Sequence, residues 1–486
     1  MLDIAAKLNL SNGYVDGDWL SAGDNKTFAV SNPANGDIIA EVADFGTVET
    51  EKAIAAAKNA FVDWSKRTAK QRCDIMKAWF RLIMQNQDQL ARLLSQEQGK
   101  PFAEAKGEIA YGASYIDWFA EEARRNYGDV VPAAKPDTQI LVLKQAIGVV
   151  AAITPWNFPN AMIARKVAPA LAAGCTIVIK PAPDTPLSAL ALAQLAEEAG
   201  IPKGVVNIIP TTQTEAVGTL LTTHPDVAKV SFTGSTRAGV EVAKNAAPTV
   251  KRVAQELGGK SANIILDDAN FQKAVAGGVI ACMGNSGQSC NAPTRMLVPE
   301  ARMEEAIAIA KAAVEKVRPG NPSDEATGIG PVVSELQWNK IQGLIEKGVE
   351  EGAEIIAGGP GKPEGLEQGY YVKPTIFANV RNNMTIAREE IFGPVLSILP
   401  YKDEDDAVAI ANDTPYGLAA YVSSGDEAHA LKVARRLRAG SVHLNGAGVN
   451  FMAPFGGYKM SGNGREWGVL GLEEFLETKA VLRPAK

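Results

Sequence analysis

The 486-residue sequence has few cysteines and few histidines, and this scarcity excludes several classes of protein. Its four cysteines form no Cys-x-x-Cys pair and are too few to be the disulfide framework of a secreted chain. The three histidines do not combine with them into a zinc-binding pattern, so we expect no metal site. Thiols without partners indicate a reducing compartment, and we therefore expect a cytoplasmic protein.

Long apolar runs and blocks of like charge are also missing. No stretch has the roughly 20 strongly apolar residues of a membrane span, and Asp3 and Lys7 interrupt the N-terminus where a signal peptide would be apolar. The net charge of −6 is dispersed and does not favour nucleic acid as a partner. A composition of 46% hydrophobic and 21% charged residues is typical of globular proteins, and the length predicts two or three domains.

Strand and helix signals alternate in two parts of the chain, on either side of about residue 257. The first part has apolar runs of strand length at residues 148–154, 175–180, 205–210 and 230–233. Between the second and third runs, Thr185 and Pro186 are predicted to begin a helix that Gly200 ends. Such alternation predicts parallel sheets with crossover helices.

The same pattern returns near the C-terminus. Residues 418–423 and 441–445 are predicted strands, and the helix between them is predicted to begin at Asp426 and end at Gly440. Residues 139–145 alternate and belong to neither pattern. They predict either an exposed strand that pairs with another subunit or an edge strand of one domain.

Cys290 ends the loop sequence Gly-Asn-Ser-Gly-Gln-Ser-Cys, which follows a helix predicted to begin near Asn270. Small and polar residues leave backbone N–H groups exposed beside the sulfur, where they can stabilise a thiolate or an oxyanion. A lone cysteine is more often buried and inert, and we keep this interpretation for Cys73, Cys175 and Cys282. Cys290 is thus the candidate nucleophile.

Two further motifs carry candidate catalytic groups. Glu256 precedes two glycines at a predicted strand end and is a candidate general base, although most glutamates are simply solvated. Asn157 lies in Pro-Trp-Asn-Phe-Pro, where two prolines hold the loop rigid, so its amide is either an oxyanion donor or a structural turn residue. Each motif is weak when taken alone.

A third motif predicts a dinucleotide site. Gly234 and Ser235 lie between a predicted strand and a predicted helix, a geometry that suits a pyrophosphate at a helix N-terminus. The Gly-x-Gly-x-x-Gly fingerprint is absent, and Lys180 ends another strand where the usual dinucleotide fold places an acid. Ligands gather at the carboxyl ends of parallel strands, so we expect these motifs to meet.

Over essentially its whole length the sequence resembles the aldehyde dehydrogenase superfamily. The matching blocks occur in family order: PWNFP from Pro155, KPA from Lys180, FTGST from Phe232, ELGGK from Glu256, GQSC from Gly287, EEIFGP from Glu389 and PFGGYKMSGNGRE from Pro454. The resemblance implies an α/β fold with a Rossmann-type cofactor domain (residues 1–124 and 146–257), an α/β catalytic domain (258–456) and a small oligomerisation element (125–145 and 457–486). It also implies homodimers or homotetramers.

The resemblance further implies roles for individual residues. It makes Cys290 the nucleophile, Glu256 the general base and Asn157 the oxyanion-hole amide. NAD or NADP would be bound by Lys180, Gly234, Ser235, Glu390, Phe392 and Trp156. Lys166 and Glu466 match residues near the proton-relay path, or else form an ordinary internal ion pair.

Within the superfamily, residues 97–107 and 164–174 most resemble those of succinate-semialdehyde dehydrogenases. This implies a short semialdehyde substrate whose carboxylate is bound by Arg165 through two parallel hydrogen bonds. The sequence departs from that group at Gly284, where an arginine is typical, and at Ala292, where a second cysteine is frequent. Phe158 and Phe455, with Phe451, are expected to line the same tunnel and would also suit an uncharged aliphatic or aromatic aldehyde.

Alternatives to this activity depend on residues that are present or missing. A coenzyme-A-acylating relative would usually lack Glu256, and a cysteine hydrolase would need a histidine base in a catalytic loop. For the cofactor, Pro183 stands where strict NAD users often have a glutamate that repels a 2′-phosphate, which favours acceptance of NADP. The neighbouring Asp184 is expected to face away from this site.

Overall fold

The computed structural model describes residues 10–485 of the chain. Asp3 and Lys7, on which the expectation of no signal peptide depends, lie outside the described residues. Within residues 10–485, no helix has the length and apolar character needed to cross a membrane.

Strands and helices alternate along most of the described chain. The strands are β1 Gly13–Val15, β2 Asp18–Leu20, β3 Thr27–Ser31, β4 Ile38–Ala43, β5 Asp129–Val131, β6 Thr138–Ala146, β7 Val149–Ile153, β8 Thr176–Lys180, β9 Val206–Ile208, β10 Val227–Thr233, β11 Arg252–Glu256, β12 Ala262–Ile265, β13 Arg295–Pro299, β14 Glu354–Ala357, β15 Thr375–Ala378, β16 Val395–Tyr401, β17 Ala419–Ser423, β18 Ser441–Leu444, β19 Gly462–Asn463 and β20 Leu476–Pro484. The α-helices are α1 Thr47–Trp64, α2 Ala69–Gln85, α3 Gln87–Gln98, α4 Phe102–Glu122, α5 Ala161–Ala173, α6 Leu187–Glu198, α7 Thr214–Thr223, α8 Thr236–Ala246, α9 Phe271–Met283, α10 Met303–Val314, α11 Glu335–Glu350, α12 Thr385–Arg388, α13 Glu404–Asn412, α14 Glu427–Ala434 and α15 Gly468–Glu473. Short 3₁₀ turns cover Ala123–Arg125, Ala247–Thr249, Gly284–Gly287, Glu300–Arg302 and Lys459–Ser461.

Two large sheets carry the α/β architecture that the sequence predicts. The first has the order β19-β11-β10-β7-β8-β9-β1-β2, in which β7 to β11 are parallel. The second has the order β14-β15-β16-β13-β12-β17-β18 and is parallel except for β14. The predicted strands on both sides of residue 257 are present, and β10 begins three residues earlier than predicted, at Val227. The proposed domain boundaries stay a prediction, and the structure adds residues 462–463 to the edge of the first sheet.

The start of helix α6 differs from the prediction that Thr185 begins it. The helix starts at Leu187, and the Oγ1 of Thr185 is buried without a hydrogen-bond partner in the described residues. The backbone N–H groups of Leu187 and Ser188 donate instead to the carboxylate of Glu97, at 2.8 and 2.9 Å. A distant carboxylate therefore caps this helix, which local sequence cannot reveal. Helix α14 also ends early, at Ala434 rather than Gly440.

The alternating segment at residues 139–145 is not an edge strand, as both interpretations of it assumed. It lies within β6, the middle strand of a separate three-stranded sheet with the order β20-β6-β5. Strand β20 pairs with it along all nine residues, and β5 pairs with residues 140–142 on the other side. The exposed edges of this sheet therefore belong to β5 and β20.

Helix α5 is the buried element that connects the fold to the site. Every residue from Ala161 to Ala173 is buried, because the alanine-rich sequence lets neighbouring elements pack closely around it. The Oε1 of Glu108, on α4, accepts from the N–H groups of Asn160 and Ala161 at 2.9 and 3.1 Å. Its Oε2 accepts from Lys100 at 2.6 Å. This buried ion pair fixes the beginning of α5.

Candidate active site

The predicted site residues meet at the carboxyl ends of the parallel strands of the first sheet. Asn157 follows β7, Ser235 follows β10 and Glu256 ends β11. Strand β7 lies between β8 and β10. The chain after β7 continues to β8 on one side of it, and β10 lies on the other side, so the strand order reverses at β7. A crevice forms at such a point at the carboxyl ends of the strands. Cys290 reaches the crevice from the loop between α9 and β13 of the second sheet.

The loop before Cys290 has an unusual backbone. Asn285, Ser286 and Gly287 have φ values of 52°, 54° and 72°, a left-handed turn that only glycine and, less readily, asparagine adopt without strain. A Cβ on Gly287 would lie 1.9 Å from the carbonyl oxygen of Gly393. Only glycine fits this approach, which places the GQSC turn against the EEIFGP segment and directs Cys290 into the crevice.

Asn157 is held through several hydrogen bonds. Its Nδ2 donates to the carbonyl oxygen of Gln288 at 2.9 Å, which uses one of two amide hydrogens. The backbone carbonyl oxygen of Asn157 accepts hydrogen bonds from Lys100 Nζ at 2.9 Å and from Asn285 Nδ2 at 3.0 Å. A fixed amide with a remaining hydrogen beside the sulfur loop has the geometry of an oxyanion donor.

Cys290 lies where two cavities meet, and it is half-buried whereas the other three cysteines are buried. All four are free thiols. Burial raises the pKa of Cys290 to about 12, and the positive charge of Arg165 acts in the opposite direction. The neutral thiol is therefore the resting form, in contrast to the thiolate that the loop sequence favours. Access rather than acidity distinguishes Cys290 from Cys73, Cys175 and Cys282.

The first cavity contains most of the residues predicted to hold a dinucleotide. It has a volume of about 140 Å³ and is lined by Trp156, Gly234, Ser235, Glu256, Gly258, Cys290, Glu390 and Phe392, among others. Ser235 caps helix α8, whose N–H groups suit a pyrophosphate. Glu390 accepts from the N–H of Gly259 at 2.9 Å, and a Cβ on Gly258 would lie 2.4 Å from its other oxygen. The buried Oγ1 of Thr233 has no partner in the described residues, so polar donors remain for a ligand.

Lys180 is the exception among the predicted cofactor residues, because it does not line this cavity. It ends β8 as predicted, and burial lowers its pKa to about 8. The charge of Asp184 acts on this pKa in the opposite direction. Burial raises the pKa of Asp184, and the charge of Lys180 acts against that rise. Helix α6 begins at Leu187 rather than at Asp184, so the helix geometry behind the expectation that Asp184 faces away from the site does not apply, and its orientation stays a prediction.

Two buried carboxyl groups near the sulfur differ in their surroundings. Neither oxygen of Glu256 has a hydrogen-bond partner in the described residues, and burial together with the charge of Glu466 raises its pKa well above the usual range. Glu466 accepts from Arg165 and, at 2.5 Å, from Lys166, and these cations lower its pKa. Surroundings that raise the pKa of one carboxyl group and lower that of its neighbour are typical of acid–base sites.

The second cavity, of about 270 Å³, extends from the other side of Cys290. Arg165, Phe158 and Phe455 line it as predicted, together with Lys100, Tyr111, Met162 and Trp467. Arg165 is buried, and its guanidinium carbon lies 4.8 Å from the ring centre of Phe455. Its Nη1 contacts the sulfur of Met162 at 3.4 Å, whereas its Nη2 is buried without a partner in the described residues. Phe451 packs on Tyr115 and does not line this cavity.

Sequence reasoning missed several polar residues that position the predicted ones. Asn285 joins the loops of Asn157 and Gln288, and its own N–H donates to Glu104 at 3.0 Å. Lys100 and Glu108 hold Asn157 and helix α5. The signal that could have indicated these residues is the block EQGKPFAEAKG at residues 97–107. Several of its polar residues are buried in the fold.

Comparisons with known proteins agree with this geometry. Residues 19–481 match the model of the aldehyde dehydrogenase family. The glutarate-semialdehyde dehydrogenase of Pseudomonas aeruginosa is 46% identical over 98% of both chains. The NADP(+) succinate-semialdehyde dehydrogenase of Escherichia coli is 46% identical over 97% of this chain and 98% of its own.

Solved structures extend the agreement to three dimensions. A mutant of aldehyde dehydrogenase C from Pseudomonas syringae, in complex with NAD+ and octanal, superposes with a TM-score of 0.95. It is 45% identical and covers 99% of this chain and 98% of its own. From the family match, the curated relatives and this superposition, we conclude that the chain belongs to the aldehyde dehydrogenase family.

Proposed function

We propose that this NAD(P)-dependent aldehyde dehydrogenase oxidises a short aldehyde bearing a carboxylate, such as succinate semialdehyde, to the dicarboxylic acid. The proposal rests on the Nη2 of Arg165, which has no hydrogen-bond partner in the described part of the chain and belongs to a buried side chain that lines the same cavity as Cys290. Relatives that act on glutarate semialdehyde and succinate semialdehyde support this substrate class.

In the proposed mechanism Cys290 is the nucleophile. Its thiol first loses its proton to water. The sulfur then forms a bond to the aldehyde carbon, and the carbonyl oxygen becomes an oxyanion that Asn157 Nδ2 and the N–H of Cys290 stabilise. When the carbonyl reforms, the carbon loses a hydride and the enzyme holds a thioester. NAD or NADP bound in the first cavity would supply the acceptor for that hydride. Glu256 then takes a proton from water, and the oxygen of that water bonds to the thioester carbon. The C–S bond breaks to release the acid, and the sulfur of Cys290 takes back the proton held by Glu256.

The residues proposed to hold the cofactor are Trp156, Gly234, Ser235, Glu390 and Phe392 in the first cavity, with Lys180 at the end of β8. Trp156 and Phe392 meet edge to face, with ring centres 5.3 Å apart. Glu390 is the carboxylate available to a ribose hydroxyl, and the start of α8 offers N–H groups to the pyrophosphate.

An open donor on Arg165 favours an anionic substrate in the second cavity. The Nε of Arg165 pairs with Glu466, and its Nη1 contacts the sulfur of Met162. Its Nη2 is buried and has no hydrogen-bond partner within residues 10–485. A buried guanidinium N–H is costly unless a ligand supplies an acceptor for it. A substrate carboxylate on Nη2 of Arg165 would do so through a charge-assisted hydrogen bond.

The test is Arg165→Met, which roughly keeps the side-chain length and removes the charge. We expect kcat/KM for succinate semialdehyde to fall at least about tenfold, or ~1.4 kcal/mol, while the value for butanal holds or rises. The uncharged butanal controls for loss of the contact with Glu466, which would affect both substrates. Equal losses on both would make Arg165 a structural residue and overturn the substrate proposal.

A second candidate function is oxidation of uncharged aliphatic or aromatic aldehydes. It is favoured by the aromatic walls of the second cavity, where Tyr111, Phe158, Phe455 and Trp467 surround Arg165. The related structure with octanal shows that a member of the family takes such a compound. A wild-type enzyme with higher kcat/KM for butanal than for succinate semialdehyde would favour this candidate.

Assembly and location are also proposals. The three-stranded sheet carries exposed apolar side chains, including Val130 and Leu482, and supports a homodimer or homotetramer built through the edges of β5 or β20. Light scattering at several concentrations measures the subunit number. The cytoplasmic location follows from the four free thiols and stays a prediction.

A further inference from the structure

We propose that Trp467 is a specificity-determining residue whose indole N–H is a second donor to the substrate carboxylate, beside Arg165. The inference rests on the proposed function, because it needs a substrate with a carboxylate. It goes further by naming a second donor for that carboxylate.

The backbone of Trp467 is unusual for a large side chain. Its φ of 65° and ψ of 164° lie in a region that glycine adopts readily and other residues rarely do. The indole is 3% exposed and packs among three rings, with centroid distances of 4.5 Å to Phe455, 5.5 Å to Tyr115 and 5.9 Å to Tyr111. Strained backbone of this kind is found where function requires a particular side chain.

Two unpaired donors lie on neighbouring side chains of the second cavity. The Nε1 of Trp467 and the Nη2 of Arg165 are both buried without partners in the described residues. The guanidinium carbon of Arg165 lies 5.1 Å from the ring centre of Trp467. Both side chains line the cavity that ends at Cys290. Buried donors are normally satisfied, so two adjacent ones indicate an acceptor that binds there.

Trp64 shows that an unpaired indole N–H is not sufficient for this argument. Its Nε1 is also buried without a partner in residues 10–485, but it lines neither of the two cavities that meet at Cys290. Trp467 differs by its cavity position, its contact with Arg165 and its positive φ. Trp64 therefore offers a matched control for the loss of a buried indole N–H.

The test is Trp467→Phe, which keeps an aromatic ring and removes the donor. KM for succinate semialdehyde should rise about five- to twentyfold and kcat should change less. KM for butanal should rise by a clearly smaller factor, because butanal has no carboxylate to bind the missing donor. Trp64→Phe should change neither substrate's constants. Trp467→His, which restores a ring N–H, should recover part of the lost affinity.

The outcomes separate this inference from the proposed function. If Arg165→Met is selective for succinate semialdehyde but Trp467→Phe has no effect, or affects both substrates equally, the role of Trp467 is wrong and the substrate proposal stands. If the wild-type enzyme does not prefer succinate semialdehyde to butanal, the proposed function itself fails. Should Trp467→Phe not fold, Trp467→His decides, because a tenfold or larger loss on both substrates would overturn the inference.

Discussion

The side-chain amide of Asn285 donates to the carbonyl oxygen of Asn157 at 3.0 Å, across 128 residues of sequence. The same nitrogen donates to the carbonyl oxygen of Gln288 at 3.1 Å, which also accepts from Asn157 Nδ2. The loop that carries the sulfur and the loop that carries the oxyanion amide are thus joined by the side-chain amides of Asn285 and Asn157, which both donate to Gln288. The relative position of the two loops therefore depends on these amides.

Replacing Asn285 should therefore slow the attack on the aldehyde without touching the cofactor. Asn285→Gly suits the left-handed backbone and removes only the amide, and we expect kcat/KM to fall about 10- to 100-fold because catalytic groups lose alignment. The dissociation constant for NAD, measured by fluorescence titration, should stay within about twofold. Wild-type turnover by Asn285→Gly would show that the bridge between the loops is dispensable.

Cys290 should be the cysteine that reagents reach first. Because Cys290 is half-buried and the other three thiols are buried, iodoacetamide should modify the peptide containing Cys290 before the others. Burial raises the pKa of Cys290 to about 12, so the rate should increase about tenfold per pH unit between pH 7 and 9. Peptide mapping measures both. A rate that is already constant at pH 7 would contradict the account of a neutral resting thiol.

Ionisation of Glu256 should lower the free energy of unfolding at neutral and alkaline pH. Its pKa is raised well above the usual value of 4.5, so its ionisation opposes folding, and the folded state loses stability as pH rises above about 4.5 towards the raised pKa. Glu256→Gln cannot ionise, so the Tm of the variant relative to wild type should increase by at least about 2 °C from pH 5 to pH 8. Differential scanning fluorimetry across pH measures this gap. Parallel curves would mean that Glu256 ionises as freely in the fold as in the unfolded chain.

The choice between NAD and NADP should depend on Asp184. Pro183 leaves room for a 2′-phosphate, and we expect the wild-type preference for NAD to stay below about 1000-fold, or ~4 kcal/mol. The negative charge of Asp184 interacts with Lys180 and would repel a 2′-phosphate bound to it. Asp184→Asn should therefore increase the ratio of kcat/KM for NADP to that for NAD by about tenfold. Asp226→Asn, which removes the exposed partner of Lys58, is the matched control. No shift in Asp184→Asn would place the phosphate away from Lys180.

The sequence predicted those parts of the molecule that depend on local pattern. Apolar runs located the strands β7 to β10. The motifs at Asn157, Ser235, Glu256 and Cys290 converge at one crevice, as expected for the ends of parallel strands. The helix start at Leu187 could not be predicted in this way, because the capping carboxylate of Glu97 is 90 residues away.

The chemical state of the site was also beyond the sequence. A polar loop around Cys290 favoured a thiolate, but the pKa depends on how much protein covers the sulfur, which only the fold determines. In the same way, the motif predicted Arg165 as a substrate-binding residue. Its ion pair with Glu466 could not be predicted, because the two residues are 301 apart in the sequence. The middle position of β6 depends on β20, from the far end of the chain.

If Cys290 carries the substrate as a thioester that Glu256 hydrolyses, the thioester should accumulate in Glu256→Gln. The decisive measurement is intact-protein and peptide mass spectrometry of this variant after mixing with succinate semialdehyde and NAD. We expect a burst of reduced cofactor, slow turnover afterwards, and the mass of one succinyl group on the peptide containing Cys290, which requires both aldehyde and cofactor. Reduced cofactor formed at the wild-type rate with Cys290 unmodified, or an acyl group on another residue, would contradict it.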